Sequence, residues 1–110
     1  MNTLTKQAMI LTAVLLTAAI AQAGDPKENW EKQCSKCHGK EGKGDTKMGQ
    51  KLGIRDLTDA KVQAELKDEA AFKAIKDGIK KDDKTLMKAA EGLSDDDIKA
   101  LVKIVRSFKK

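Results

Sequence analysis

Cys34, Cys37 and His38 are the residues of this chain best equipped for chemistry. They fall in the pentapeptide Cys34-Ser35-Lys36-Cys37-His38, and they are the only two cysteines and the only histidine of the 110 residues. A two-residue spacer at the end of a helix brings both thiols to one side of the backbone, so one planar group can bond both. The imidazole that follows is placed to bind a metal at the centre of that group. The pattern C-x-x-C-H reads as the attachment site of a c-type haem. Cys34 and Cys37 would form the thioethers, and His38 would bind the iron from one face.

Other readings of the motif explain less. A thioredoxin-type redox pair opens a helix after a buried strand, whereas Ala- and Lys-rich helical text surrounds this motif. A structural zinc site takes four Cys or His ligands, and this chain supplies three, all within five residues. A simple disulfide would leave His38 without a role.

The first 23 residues have the form of a secretory leader. Lys6 supplies the positive start, Ala8 to Ile20 is apolar and uncharged, and Ala21-Gln22-Ala23 is a small-residue cleavage site. The apolar run is shorter than the roughly 18 residues that suggest a spanning helix, so no stable membrane insertion is expected after cleavage. Removal shortens the chain from 110 to 87 residues, takes only Lys6 among the charged residues, and lowers the formal charge from +5 to +4. Residues 24–110 are expected to form one domain. Its aromatic residues are only Trp30, Phe72 and Phe108. So small a core needs a staple, and a covalently held porphyrin would provide one.

The elements that must position the motif read as helices. Asp25 at the N-cap, Pro26 at N1 and Glu28 at N3 start a helix that runs to about Lys36, with Trp30 as its packing anchor. Gly39 to Gly53 is glycine-rich and reads as a loop wrapped on the haem. Thr58-Asp59 starts a short helix to about Leu66. Asp68 caps a third, with Phe72, Ile75 and Ile79 on one face and Gly78 at its end. A second loop, Ile79 to Leu93, holds Met87. Ser94 caps the last helix, where Asp97 makes an imperfect capping box and Ile98, Leu101, Val102, Val105 and Phe108 form the apolar stripe. No strand is expected.

Iron bound by His38 needs a partner on its other face, and a Met thioether is the usual one where no second His exists. Beyond residue 23 only Met48 and Met87 remain. Chain reach does not separate them. Placement favours Met87, which lies between two capped helices and can approach from the side opposite His38. Met48 would have to turn around the haem edge.

Across nearly all of residues 24–110 the chain resembles a small class I c-type cytochrome. The resemblance rests on Cys34, Cys37, His38 and Gly39, on Gly42-Lys43-Gly44-Asp45, on Met87, on the run from Leu93 to Leu101, and on Arg106-Ser107-Phe108. It implies an all-α cytochrome c fold: about four short helices and two long loops wrapped around one covalently attached haem c. It also implies Met87 as sixth ligand and export, since thioether attachment is completed across the membrane in such systems; the periplasm is the expected compartment. The chain departs from the family pattern in three places. Its only proline is Pro26, so a backbone carbonyl between Gln50 and Ile54 is expected to receive the His38 Nδ1–H. Lys88 follows Met87 where proline is common, and there is no tyrosine.

These features imply a monomeric exported electron carrier, not an enzyme, cycling Fe(III)/Fe(II) with His38 and Met87 as metal ligands. The alternatives are a haem-based small-ligand sensor and a haem subunit of a larger oxidoreductase. Arg55, the only arginine outside the last helix, is expected to hold a haem propionate. Lysines recur from Lys32 to Lys51 and again at Lys80, Lys81, Lys84 and Lys88. They predict a basic rim that steers a redox partner with an acidic docking face, and no nucleic-acid role.

Overall fold

The Asp25 carboxylate accepts the Lys27 N–H at 3.0 Å, and Pro26 at the first position loses no useful donor. Helix α1 (Pro26–Gln33) starts there in a computed structural model that describes residues 24–110. The leader expected in residues 1–23 lies outside the described residues. The helix does not run on unbroken to Lys36. It turns at Cys34, and the motif continues in a short α2 (Ser35–His38). The Ser35 hydroxyl donates to the Glu31 carbonyl at 2.7 Å, a back-bond of the kind that bends helices.

Two expected loops contain regular structure. Within 39–53 lies α3 (Lys47–Leu52), whose N-cap Thr46 accepts the Gly49 N–H at 2.9 Å. Gly49 made the segment read as a loop, but its lack of a side chain is what lets α3 sit against the motif. A Cβ there would collide with the Cys37 carbonyl. Within 79–93 lies an antiparallel hairpin of β1 (Ile79–Lys81) and β2 (Lys84–Met87), which corrects the strandless expectation. Its register pairs Lys80 with Thr85 and Lys81 with Lys84, with an irregularity between Ile79 and Lys80. Asp82 and Asp83 both have positive φ, 53° and 66°, the conformation of a tight hairpin turn, and Asp tolerates it better than most residues. The strands are short and lysine-rich, so no apolar alternation announces them.

The remaining helices are α4 (Ala60–Glu65), α5 (Asp68–Asp77) and α6 (Asp95–Ser107). Asp59 caps α4 through the Lys61 N–H at 2.8 Å. Asp68 does not cap α5. Lys67 is the N-cap residue and makes no side-chain bond there, while Asp68 is turned to Arg106. The capping box of α6 is complete with Asp in place of Glu: Ser94 Oγ accepts the Asp97 N–H, and Asp97 Oδ2 accepts the Ser94 N–H, both at 3.1 Å.

Helix α6 packs on α1 and α5. Its stripe Ile98, Leu101, Val102 and Val105 is buried together with Trp30, Cys34, Leu57, Val62, Ala71 and Ile75. Phe108, just past the helix, closes on Gly42. A Cβ at Gly42 would lie 2.6 Å from the Phe108 ring, and φ there is +77°, so glycine is required twice over.

One polar network ties α4 to α6. Gln63 is 4% exposed and donates to the Leu57 carbonyl at 2.6 Å and the Val105 carbonyl at 2.8 Å. Arg106 donates to Gln63 Oε1 and O at 2.9 and 2.8 Å, to the Leu66 carbonyl at 2.5 Å and to Asp68 at 2.7 Å. The fork thereby caps the C-terminal end of α4. Arg106→Met leaves these acceptors without their donor and is expected to cost about 1–3 kcal/mol. Arg106→Lys should recover little, because an ammonium cannot span them. Denaturant titration checks both: the midpoint falls with the slope unchanged.

Candidate haem site

Cys34 ends α1 and His38 ends α2, so the local turn at Cys34 sets how the motif faces the core. Thr46 Oγ1 donates to the Cys37 carbonyl at 2.9 Å, and the Gly44 N–H donates to the His38 carbonyl at 2.8 Å. The backbone of the motif is thus held from the loop that follows it. Cys34 is buried and Cys37 half-buried.

Cys34 and His38 line a cavity of about 320 Å³. Leu57, Val62, Leu66 and Ile75 form much of its wall, with Trp30 and Val105 from the core. Met87, from the end of β2, lines the same cavity. Met48 does not. It is 37% exposed and lines a separate surface groove with Lys36, Lys47 and Lys51. The two methionines that chain reach left equal are therefore separated by packing.

Arg55 and Glu65 also line the cavity and pair with each other at 2.7 Å. Arg55 is not paired with Asp56, whose carboxylate instead accepts the Thr58 N–H and hydroxyl at 2.8 and 2.6 Å. Those bonds hold the Asp56 carboxyl below its usual range. Glu65 is a cavity residue that the sequence does not announce. Its position four residues after Lys61 on an exposed-looking helix gave no signal.

The electrostatics of the motif separate its possible chemistries. Burial first, and the neighbouring Cys37 charge second, push the Cys34 thiol up to about 11. Reactive redox cysteines need the opposite, a stabilised thiolate. Among the described residues no group of three or more His, Cys, Asp or Glu converges as a metal cluster, so a zinc centre finds no ligand set. Burial lowers the pKa of His38 and keeps its imidazole neutral, the form that binds a metal.

His38 Nδ1 is buried with no hydrogen-bond partner among the described residues, so no carbonyl between Gln50 and Ile54 receives it as expected from the sequence. The indole of Trp30 lies against the imidazole instead, ring centroids 5.5 Å apart. An apolar cavity lined by one neutral imidazole, one thioether and one thiol of a C-x-x-C pair suits haem c by its donors and its apolar wall.

The comparisons with known proteins agree with this chemistry. The family model described as cytochrome c oxidase, cbb3-type, subunit III matches residues 21–103. The solved structure of the KustC0563 c-type cytochrome is 36% identical, with a TM-score of 0.67 over 79% of this chain and 100% of that one. A tyrosine-to-phenylalanine mutant of the same protein gives 35% identity and a TM-score of 0.65, over 78% of this chain and 100% of that one. No curated protein matches. With its C-x-x-C-H helix opening onto an apolar cavity, the chain belongs to the family of cytochrome c oxidase cbb3-type subunit III, as a small c-type cytochrome built for haem-based electron transfer.

Proposed function

We propose that this chain is an exported, monomeric electron carrier with one haem c bound through Cys34 and Cys37 and ligated by His38 and Met87. The observation that carries this reading is that His38 and Met87, 49 positions apart in the chain, line one cavity from which Met48 is absent. When bound, the haem supplies a one-electron Fe(III)/Fe(II) couple.

The chain's own residues tune that couple. His38 presents a neutral imidazole. Met87 presents a soft thioether, which favours Fe(II) and raises the potential. The apolar wall of Leu57, Val62, Leu66 and Ile75 excludes water and disfavours added charge. Arg55 would share its guanidinium between Glu65 and a haem carboxylate. The only histidine is committed to iron, which leaves no nucleophile and base pair in the cavity, and the role proposed is carrier rather than enzyme.

Partner docking follows from charge. Lys32 pairs with Glu28 and Lys43 with Glu41, but Lys36, Lys47 and Lys51 form no ion pair among the described residues. They line the groove around Met48, beside the haem motif. Lys47 and Lys51 stand four apart on α3, where like charges cost stability. Such a face suits an acidic redox partner. The family description favours a second reading, in which the same transfer occurs inside an oxidase. No described helix is long and apolar enough to cross a membrane.

Mass spectrometry of the exported protein should show residues 24–110 plus one haem and no free thiol. Colour that extracts into acidified organic solvent would refute covalent attachment.

In optical spectra, Met87→Ala should abolish the far-red methionine-to-Fe(III) band and lower the potential, while Met48→Ala keeps both. The reverse pattern would assign the ligand to Met48. A five-coordinate ferrous wild type that takes up CO at once would favour the sensor.

Association with an acidic redox partner should slow as salt rises past the range where the Debye length is about 10 Å. Charge reversal at Lys36 or Lys47 should slow it further, and reversal at Lys103 much less. A rate flat in salt would remove the acidic partner.

A further inference from the structure

Iron-binding imidazoles commonly have their ring plane set by a hydrogen bond from the second ring nitrogen to a carbonyl or carboxylate. Among the described residues His38 lacks it: its buried Nδ1 meets no partner. Some other contact must orient the ring.

Trp30 makes that contact. It is 4% exposed and lines the same cavity as His38. Its ring centroid lies 5.5 Å from that of the imidazole, with the planes 40° apart. Its Nε1–H donates at 2.9 Å to the carbonyl of Gly39, the residue directly after His38, and that bond is buried. One side chain therefore touches the imidazole and pins the backbone that carries it. Trp30 is in turn braced by Phe108, whose ring lies 5.0 Å away, tilted by 55°. Phe108 cannot retreat on its other contact, because Gly42 already gives up its Cβ to admit it.

We infer that Trp30 is the positioning residue that sets the plane of the His38 imidazole, through ring contact and its bond to Gly39, with Phe108 as its brace. This rests on the reading of His38 as a haem ligand. An aromatic residue that merely fills the core would support stability but leave the electronic state of the iron unmoved. A residue that orients the axial imidazole alters both, since ligand orientation and hydrogen bonding tune the metal.

The test uses the exported holoprotein and reads ferric EPR and midpoint potential together with thermal stability. Trp30→Phe keeps a ring but loses the N–H. Its low-spin g-values should shift and broaden as the imidazole samples several angles, and its potential should move. Trp30→Leu should move further. Phe108→Leu loosens the brace without touching the Gly39 bond, and should shift the same signals less. Phe72→Leu removes a half-buried aromatic that packs on the core without lining the cavity. It should lower the melting temperature and leave g-values and potential at wild type.

Trp30→Phe and Phe108→Leu proteins with wild-type g-values and potential would overturn the inference while leaving the haem reading intact. Should the Trp30 variants not yield holoprotein, Phe108→Leu alone decides on the same criterion. A wild-type protein whose spectrum shows no imidazole on iron would overturn the inference and the haem reading together.

Discussion

Leu101 has no solvent exposure, and Val105, one turn further along α6, reaches both the core and the haem cavity. This apolar stripe is the surface on which the other elements are laid. α1 brings Trp30 and Cys34 to it, α5 brings Ile75, and α4 is tied to its far end through Gln63 and Arg106. Burying a side chain of this kind contributes roughly 1.5–3 kcal/mol, so a few such contacts dominate the stability of so small a domain. The cavity is what remains between these elements, and its wall and the core are partly the same residues.

That shared wall explains the electrostatics. The packing that makes the cavity apolar also removes water from Cys34 and His38, so the thiol stays protonated and the imidazole neutral. Charge is kept to the rim, as the Arg55–Glu65 pair, and to the outer surface, where the lysines of α2 and α3 surround Met48. Such an apolar wall disfavours added charge in the cavity, while these lysines keep positive charge on the outer surface of α2 and α3.

Sequence reading succeeded where a feature depends on neighbours within a few residues. Asp25, Asp59 and Ser94 cap their helices as expected, because a short polar side chain meets an N–H two or three positions on. Gly78 ends α5 for a similarly local reason. It failed where a distant residue competed. Asp68 has the sequence of a cap, but Arg106, 38 positions away, claims its carboxylate. Gly49 spoke for a loop, but helix α3 needs it to approach the Cys37 carbonyl. The hairpin of β1 and β2 left only its Asp82-Asp83 turn as a trace, since its strands are too short and too exposed to alternate.

The c-type cytochrome class was legible in the sequence alone, because its C-x-x-C-H pattern is a fixed local spacing of two cysteines and a histidine, and only one stretch has it. The helical class followed from caps and periodicity for the same local reason. Which methionine shares the cavity, that Glu65 meets Arg55, and that His38 leans on Trp30 instead of donating to a carbonyl were decided only by the tertiary structure. Met87 reaches the cavity from a hairpin far along the chain, and Glu65 and Trp30 meet Arg55 and His38 across turns, so no helical spacing records the direction in which each side chain arrives.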